Sequence, residues 1–324
     1  MISIKQLLEP FRPSLLSAYK ELTISSIPII EDVNSHLNST QGKQLRPLMT
    51  ILTGLCCGLD DTLAADHPVF AAAAAIETLH ASTLMHDDVI DNADIRRGVP
   101  SVRKQWGNKA AVLVGDFYLA RIMQTFNKID NKAVTSIIGD TVAQMSEGEL
   151  LQLQHNGIYT DDNNTYLTII EKKTAVFMAA CCEVGAVFAT GDERLRQHAR
   201  RFGLNLGMAF QIRDDIIDYL PATVTGKPQG NDLCEGKCTL PLIHALKNSD
   251  DDTKKNILSL LKEKPLSDTN LKRLMDTVTH GGYLASAARV HDEYLECARE
   301  ALQALPDNKY RAALAALTDN PITL

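Results

Sequence analysis

Two segments of this 324-residue chain share one acidic spacing, His86-Asp-Asp-Val-Ile-Asp91 and Arg213-Asp-Asp-Ile-Ile-Asp218. Each interrupts an apolar, helix-forming run instead of decorating a polar loop. At about 100° per residue, Asp87 and Asp91 fall roughly 40° apart on one helix face. Asp94 falls close by, and His80 lies on the same face seven residues before Asp87. The second segment clusters Gln211, Asp214, Asp215 and Asp218 likewise. Carboxylates stacked this way repel each other and weaken an isolated helix by about 0.2–0.5 kcal/mol per pair. A bound cation reverses that sign. Aspartate oxygens suit Mg²⁺, which keeps several waters and shares its coordination with substrate phosphates. The plainer alternative, for either motif alone, is a solvated acidic face or a set of helix caps. A di-iron carboxylate bundle would draw on Glu and Glu-x-x-His ligands from facing helices, whereas both clusters here are built from Asp.

Carboxylates that hold Mg²⁺ and a polyphosphate call for cations to meet the remaining anionic oxygens. Asp94-Ile-Arg96-Arg97-Gly98 puts two arginines just after the first motif, and the guanidinium fork matches diphosphate oxygens. Ordinary helix C-terminal charge would place arginines there too. Gln41-Gly-Lys43-Gln-Leu-Arg46-Pro47 is a glycine turn that carries Lys43 and Arg46 into a helix, a second anion cradle. Lys173 in Glu171-Lys-Lys-Thr174, Lys227 after Gly226 and Lys237 after Gly236 flank the second motif. Elsewhere each would read as a surface lysine.

Helices are the elements that must position these groups. Apolar periodicity predicts them over 14–37, 45–58, 68–95, 108–127, 131–155, 163–188, 193–220, 239–247, 253–263, 268–279, 282–304 and 307–317. Breakers fall between them at Gly98-Val-Pro100, Gly157, Gly191-Asp192 and Pro221 to Gly230. No alternating strand run competes, and no fixed-period repeat is visible. The expected fold class is all-α, one helical domain over 1–324. With 45% apolar and 23% charged residues, disorder is excluded. A net charge of −7 argues against a nucleic-acid partner. MISIKQLLEPFRP lacks the pattern of a secretory signal. Ala175 to Ala189 is the most apolar longer stretch, but Glu183 interrupts it and it is short of a bilayer span, so a buried helix is expected and no transmembrane segment. Seven cysteines without a CxxC suggest neither a disulfide framework nor a zinc ribbon, and point to a reducing cytoplasm. Cys234-Glu-Gly-Lys-Cys238 is a weak metal candidate.

These residues resemble the trans-isoprenyl diphosphate synthases, and within them the bacterial long-chain, octaprenyl-type branch. The resemblance rests on QGKQLRP (41–47), LMHDDVIDNADIRRG (84–98), VGDF (114–117), EGELLQL (147–153), KTA (173–175), GMAFQIRDDIIDY (207–219), GKPQGNDL (226–233) and EGKCTLPL (235–242). It spans about residues 40–245. It implies a bundle of packed helices around a deep central cavity, usually a homodimer, with two to three Mg²⁺ per active site. By resemblance Asp87 and Asp91 bind Mg²⁺ bridging the allylic diphosphate, with Asp88 supporting. Asp214 holds a further Mg²⁺ on that diphosphate, with Asp215 and Asp218 nearby. Arg96, Lys173, Thr174, Gln211, Lys227 and Lys237 match allylic-diphosphate contacts. Lys43, Arg46, His80 and Arg97 match the isopentenyl diphosphate site. The six aspartates and Lys173 make up the implied catalytic set. Where the family reads GGKRxRP, this chain has Gln41 and Gln44, a departure that bears on isopentenyl diphosphate affinity.

The implied reaction ionises an allylic C–O bond, so charge builds on the departing diphosphate, where metal ions and fixed Arg and Lys donors stabilise it. The allylic cation must meet the alkene of isopentenyl diphosphate before water does, which calls for a dry cavity. No nucleophilic side chain is required. An allylic primer such as farnesyl diphosphate is the expected co-substrate, and the product is a lipid. Ser82 and Thr83 stand where short-chain relatives carry a blocking aromatic residue, so the expected product exceeds C20, in the range C30–C40. Met123 and Phe126 are the bulkiest candidates for the tunnel floor, or else ordinary core side chains. The alternatives are a short-chain (farnesyl or geranylgeranyl) synthase, a class I terpene cyclase and a non-catalytic synthase subunit. The second DDxxD and the Lys43/Arg46 cradle argue against the cyclase. Retention of all six aspartates argues against the subunit.

Overall fold

Residues 4–39, 44–221, 229–263 and 265–319 are described in a computed structural model, and nearly every element among them is a helix. Gln41, Lys43 and Lys227 lie outside the described residues. The chain divides into two compact units. One comprises Met1–Ile138, Cys181–Gln197 and Leu305–Leu314; the other comprises Gly139–Ala180, His198–Ala304 and Ala315–Leu324.

In the first unit the Pro68–Ile90 helix is the centre, packed by Asn108–Ile129, Arg12–Thr23 and Leu45–Cys57. Pro68 opens it at a position where a missing N–H costs nothing, and the His67 ring accepts the Val69 N–H. The run Ala72 to Ala75 is fully buried. Its small side chains let neighbouring helices approach closely. Close approach recurs where a Cβ on Gly185 would stand 2.1 Å from the Thr50 carbonyl oxygen. The Val176–Ala189 helix is buried along most of its length, as its composition predicted. Among the described residues no helix is long and apolar enough to cross a membrane.

The second unit builds its core on Tyr166, Ile212, Ile216, Leu242, Leu274 and Leu284. Within it the Leu240–Asn248 helix packs on Tyr283–Gln303. Gly203 and Gly207, one turn apart, let the helix that carries the second aspartate motif lie against Met178 and Ala175; a Cβ at Gly207 would come 2.6 Å from the Ala175 Cα.

Three expected helices are shaped differently. The run predicted over 14–37 is two helices, Arg12–Thr23 and Pro28–Ser39, because Pro28 cannot continue the first. The run over 163–188 contains a π-helical turn, Glu171–Ala175. The helix predicted to reach residue 95 ends at Ile90 with Asp91 as its C-cap. Beyond it Ile95–Arg96 pairs antiparallel with Val99–Pro100, a two-stranded hairpin that the helical pattern hid. Its loop is Arg97-Gly98, both at positive φ (53° and 81°), as a type I′ turn demands.

Candidate active site

Each unit carries one aspartate motif, and the two are built alike. In both, the second aspartate is buried and anchored while its neighbours lie nearer the surface. Asp88 is 3% exposed, and its Oδ1 accepts the Nε (2.8 Å) and Nη2 (2.5 Å) of Arg96. Asp215 is 5% exposed; its Oδ2 accepts the Tyr166 hydroxyl (2.7 Å) and its Oδ1 accepts Nε2–H of Gln211 (2.8 Å). Burial pushes the Asp215 carboxyl well above its ordinary range, helped by the Asp232 carboxylate and opposed by these two donors.

Asp91 closes the Pro68–Ile90 helix, its N–H bonded to the Asp87 carbonyl at 2.8 Å. Asp94 leaves the face expected for it, since the chain has already turned; it bonds Arg103 (2.9 Å) and Lys104 (2.8 Å) instead. His86 lies over Gly115, where a Cβ would meet its Nε2 at 2.3 Å, and this contact sets the motif against the Asn108–Ile129 helix.

A cavity in the first unit is lined by His80, Glu77, Tyr19, Arg96, Arg97 and Gln44, among others. His80 is held neutral: burial, then the charges of Arg46, Arg97 and Arg96, push its pKa down to about 2. A neutral imidazole can donate one hydrogen bond without bringing a further cation. Burial raises Glu77, and Arg46 and Arg97 pull it back. Burial pushes the Tyr19 hydroxyl up to about 12. Arg46, Arg97 and His80 therefore share one neighbourhood. Glu77, which sequence reasoning passed over, counters their charge. Glu77-Thr-Leu-His80 is a Glu-x-x-His spacing, but Glu77 faces arginines and not a metal-ligand set. Arg97 holds a left-handed backbone that costs a non-glycine residue about 1–2 kcal/mol, as the two-residue hairpin turn requires there.

In the second unit Lys173, Thr174, Gln211, Asp215, Asp232 and Lys237 line one cavity. The π turn displays Lys173 and Thr174, and Gly148 lets the Lys132–His155 helix pass close to that turn's backbone, where a Cβ would stand 2.7 Å from the Lys173 main-chain nitrogen. Lys173 pairs with Glu149 (2.5 Å), and Lys237 with Glu235 (2.5 Å) and Asp232 (3.6 Å). Asp218 accepts the backbone N–H groups of Asn231 (3.2 Å) and Asp232 (3.1 Å), so it ties the motif to the following Asn231–Cys234 helix. Burial raises Asp218 and takes Asp232 to about 6. Asp232, Glu149 and Tyr166 were missed by sequence reasoning, although Asp232 lies inside the quoted GNDL run.

The donor set fits magnesium. Among the described residues no three His, Cys, Asp or Glu side chains converge as a ready-made cage. Mg²⁺ is held by one or two carboxylates together with substrate phosphates, so paired aspartates on a helix suit it. Cys234 and Cys238 make no such site: Cys234 is exposed, and Cys238 turns its thiol to the Thr160 carbonyl.

The chain-length residues are placed differently from expectation. Ser82 does not border open space; it is fully buried, with its hydroxyl on the Gly115 carbonyl. Thr83 is half-buried and bonds back to His80 within its own helix. Met123 is 73% exposed and Phe126 is 5% exposed, so the two do not form one floor within their unit.

An all-α fold with two Asp-rich helices, each beside a cavity that holds basic side chains, defines the class. A family model described as Polyprenyl synthetase matches residues 27–278. The all-trans-nonaprenyl-diphosphate synthase (geranyl-diphosphate specific) of Rhodobacter capsulatus is 37% identical over 297 residues, 91% of this chain and 89% of that protein. Heptaprenyl diphosphate synthase component 2 of Bacillus subtilis (strain 168) is 31% identical over 294 residues, 90% and 82% of the two chains. The solved structure of polyprenyl synthase from Caulobacter crescentus CB15, complexed with calcium and isoprenyl diphosphate, matches with a TM-score of 0.88 at 34% identity, covering 98% of this chain and 95% of that one. The chain belongs to the polyprenyl synthetase family and is a transferase of that family.

Proposed function

We propose that this protein is a Mg²⁺-dependent, all-trans, long-chain polyprenyl diphosphate synthase, adding successive isopentenyl diphosphates to an allylic diphosphate such as farnesyl diphosphate. The observation that carries the reading is the shared build of the two DDxxD motifs. One buried aspartate in each, Asp88 and Asp215, is an anchor, and the family resemblance assigns Asp87 and Asp91 in one motif and Asp214 in the other as the metal-binding carboxylates. Two to three Mg²⁺ held there would supply positive charge to the departing diphosphate. Lys173, Gln211, Lys237 and Arg96 orient the allylic diphosphate, together with Thr174 and with Lys227, which lies outside the described residues. His80, Arg46 and Arg97, with Lys43 outside the described residues, hold isopentenyl diphosphate. The neutral His80 donates without adding charge, and Glu77 keeps the arginine cluster from overcharging the cavity.

The names of the nonaprenyl and heptaprenyl relatives support a product of C30 or longer, and C30–C40 is our assignment. One family model over residues 27–278 takes in parts of both units and supports a single catalytic domain there, which we assign to 1–324. Exposed Val112, Leu113 and Met123 on the Asn108–Ile129 helix support a homodimer. Seven free cysteines, four of them buried, support a reducing, cytoplasmic location. The test is mutational. Asp87→Ala and Asp214→Ala should each cut turnover by at least ~10²–10³, the loss seen when one transition-state donor is removed, while substrate affinity changes less. Wild-type turnover in either variant would refute the metal assignment.

A further inference from the structure

Asp215 ends a directed relay of hydrogen bonds. Thr174 donates its hydroxyl to Oε1 of Gln211 at 2.8 Å, Gln211 donates Nε2–H to Oδ1 of Asp215 at 2.8 Å, and Tyr166 donates to Oδ2 of Asp215 at 2.7 Å. The order of donors follows from chemistry. Gln211 turns its amide nitrogen toward Asp215 and its oxygen toward Thr174, and an amide oxygen only accepts, so the Thr174 hydroxyl must be the donor. The single hydroxyl proton of Thr174 is thereby committed to Gln211. One proton of the Thr174–Gln211 pair is left over, the second amide N–H of Gln211. A diphosphate oxygen can only accept. The pair can therefore meet a diphosphate through that amide N–H and through no other proton.

Tyr166 is 6% exposed and belongs to the core of its unit, yet it also lines the cavity that holds Lys173, Thr174, Gln211 and Lys237. Without its hydroxyl, Oδ2 of Asp215 is a buried acceptor with no donor, a costly state. The nearest remedy is the spare N–H of Gln211, and taking it removes the proton that a diphosphate would use. We propose that Tyr166 is a positioning residue for the diphosphate: by satisfying Asp215 it fixes the direction of the Thr174–Gln211–Asp215 relay and keeps one Gln211 amide proton pointed at the ligand. The inference rests on the proposed function, in which the Thr174–Gln211 pair belongs to the allylic-diphosphate site.

The experiment compares the full-length wild type with Tyr166→Phe. Two quantities are read: the affinity for inorganic pyrophosphate in Mg²⁺ by calorimetry, and steady-state KM for farnesyl and isopentenyl diphosphates. Tyr166→Phe should weaken pyrophosphate binding and raise the allylic KM by about threefold to tenfold, the range for one lost hydrogen bond. The KM for isopentenyl diphosphate should stay within about twofold. In a Gln211→Met background the same change should add nothing, because the relay is already cut.

Unchanged pyrophosphate affinity in Tyr166→Phe, or a full additional loss in the Gln211→Met background, overturns the proposal. So does an equal effect from Tyr118→Phe, which removes another buried hydroxyl bond, to Asn34, and is expected to lower the melting temperature alone. If Tyr166→Phe does not fold, Asp215→Asn is read instead; it should weaken pyrophosphate binding likewise, and an unchanged affinity overturns the proposal. Failure of the functional reading is separable. A wild type that makes no polyprenyl product refutes that reading, whereas the pyrophosphate comparison still reports on the relay.

Discussion

The Ser82 hydroxyl donates to the Gly115 carbonyl at 3.0 Å, joining the helix of the first aspartate motif to its neighbour through two small residues. The side chain at 82 is small because a second helix backbone lies there. Ser82→Phe should therefore overpack the pair and cost about 1–3 kcal/mol, read as a fall in melting temperature. Thr83, half-buried and bonded to His80 of its own helix, is the position where an aromatic ring should shorten the product without a comparable loss of stability. Product chromatography and thermal melts of both variants decide this. A Ser82→Phe enzyme of wild-type stability would contradict the packing argument.

The anchoring role of Asp88 separates it from Asp87. Asp88→Asn weakens a charge-assisted pair with Arg96, so it should destabilise the protein by about 1.5–3 kcal/mol while also lowering turnover. Asp87→Ala should lower turnover further with little change in melting temperature. Urea unfolding beside kinetics makes the comparison, and a reversed order would show that Asp88 is the metal ligand.

His80 gives a signed pH dependence. Its folded pKa is depressed to about 2, chiefly by burial, against an unfolded value near 6.5. Below that value the unfolded chain takes up a proton that the folded chain refuses. Its contribution is therefore complete above pH 6.5 and shrinks as pH falls toward 2, by about 1.4 kcal/mol per pH unit for one proton. His80→Gln should flatten the decline in melting temperature between pH 6.5 and pH 5. Parallel curves would mean that His80 is protonated in the fold.

Arg46, beside Glu77 and His80, should serve isopentenyl diphosphate. Arg46→Lys keeps the charge but loses the fork, and should raise the KM for that substrate while leaving the allylic KM near its original value. Lys43→Ala is expected to do the same. A selective rise in the allylic KM would exchange the two assignments.

Much of this was legible in the chain. The DDxxD spacings, the arginine pair and the helical runs around them depend on contacts within a few residues, and periodicity reports such contacts directly. What periodicity does not report is which aspartate turns inward. Asp88 is fixed by an arginine eight residues on and Asp215 by a tyrosine 49 residues back. Helix geometry alone sets Asp87 and Asp91 on one face but does not say that Asp88 is the carboxylate that turns inward. The stop at Ile90 was hidden because neither Gly nor Pro follows it until Gly98; the left-handed Asn92, Arg97 and Gly98 are what turn the chain. Ser82 looked like spare room because a small residue reads the same whether it borders a void or a packed backbone.

The most direct measurement incubates the purified chain with farnesyl diphosphate, radiolabelled isopentenyl diphosphate and Mg²⁺, and then separates the dephosphorylated products by chain length. The account predicts all-trans products longer than C20, centred within C30–C40, that vanish in EDTA and return when Mg²⁺ is added back. Cyclic products, no incorporation, a stop at C15 or C20, or full activity in EDTA would contradict it.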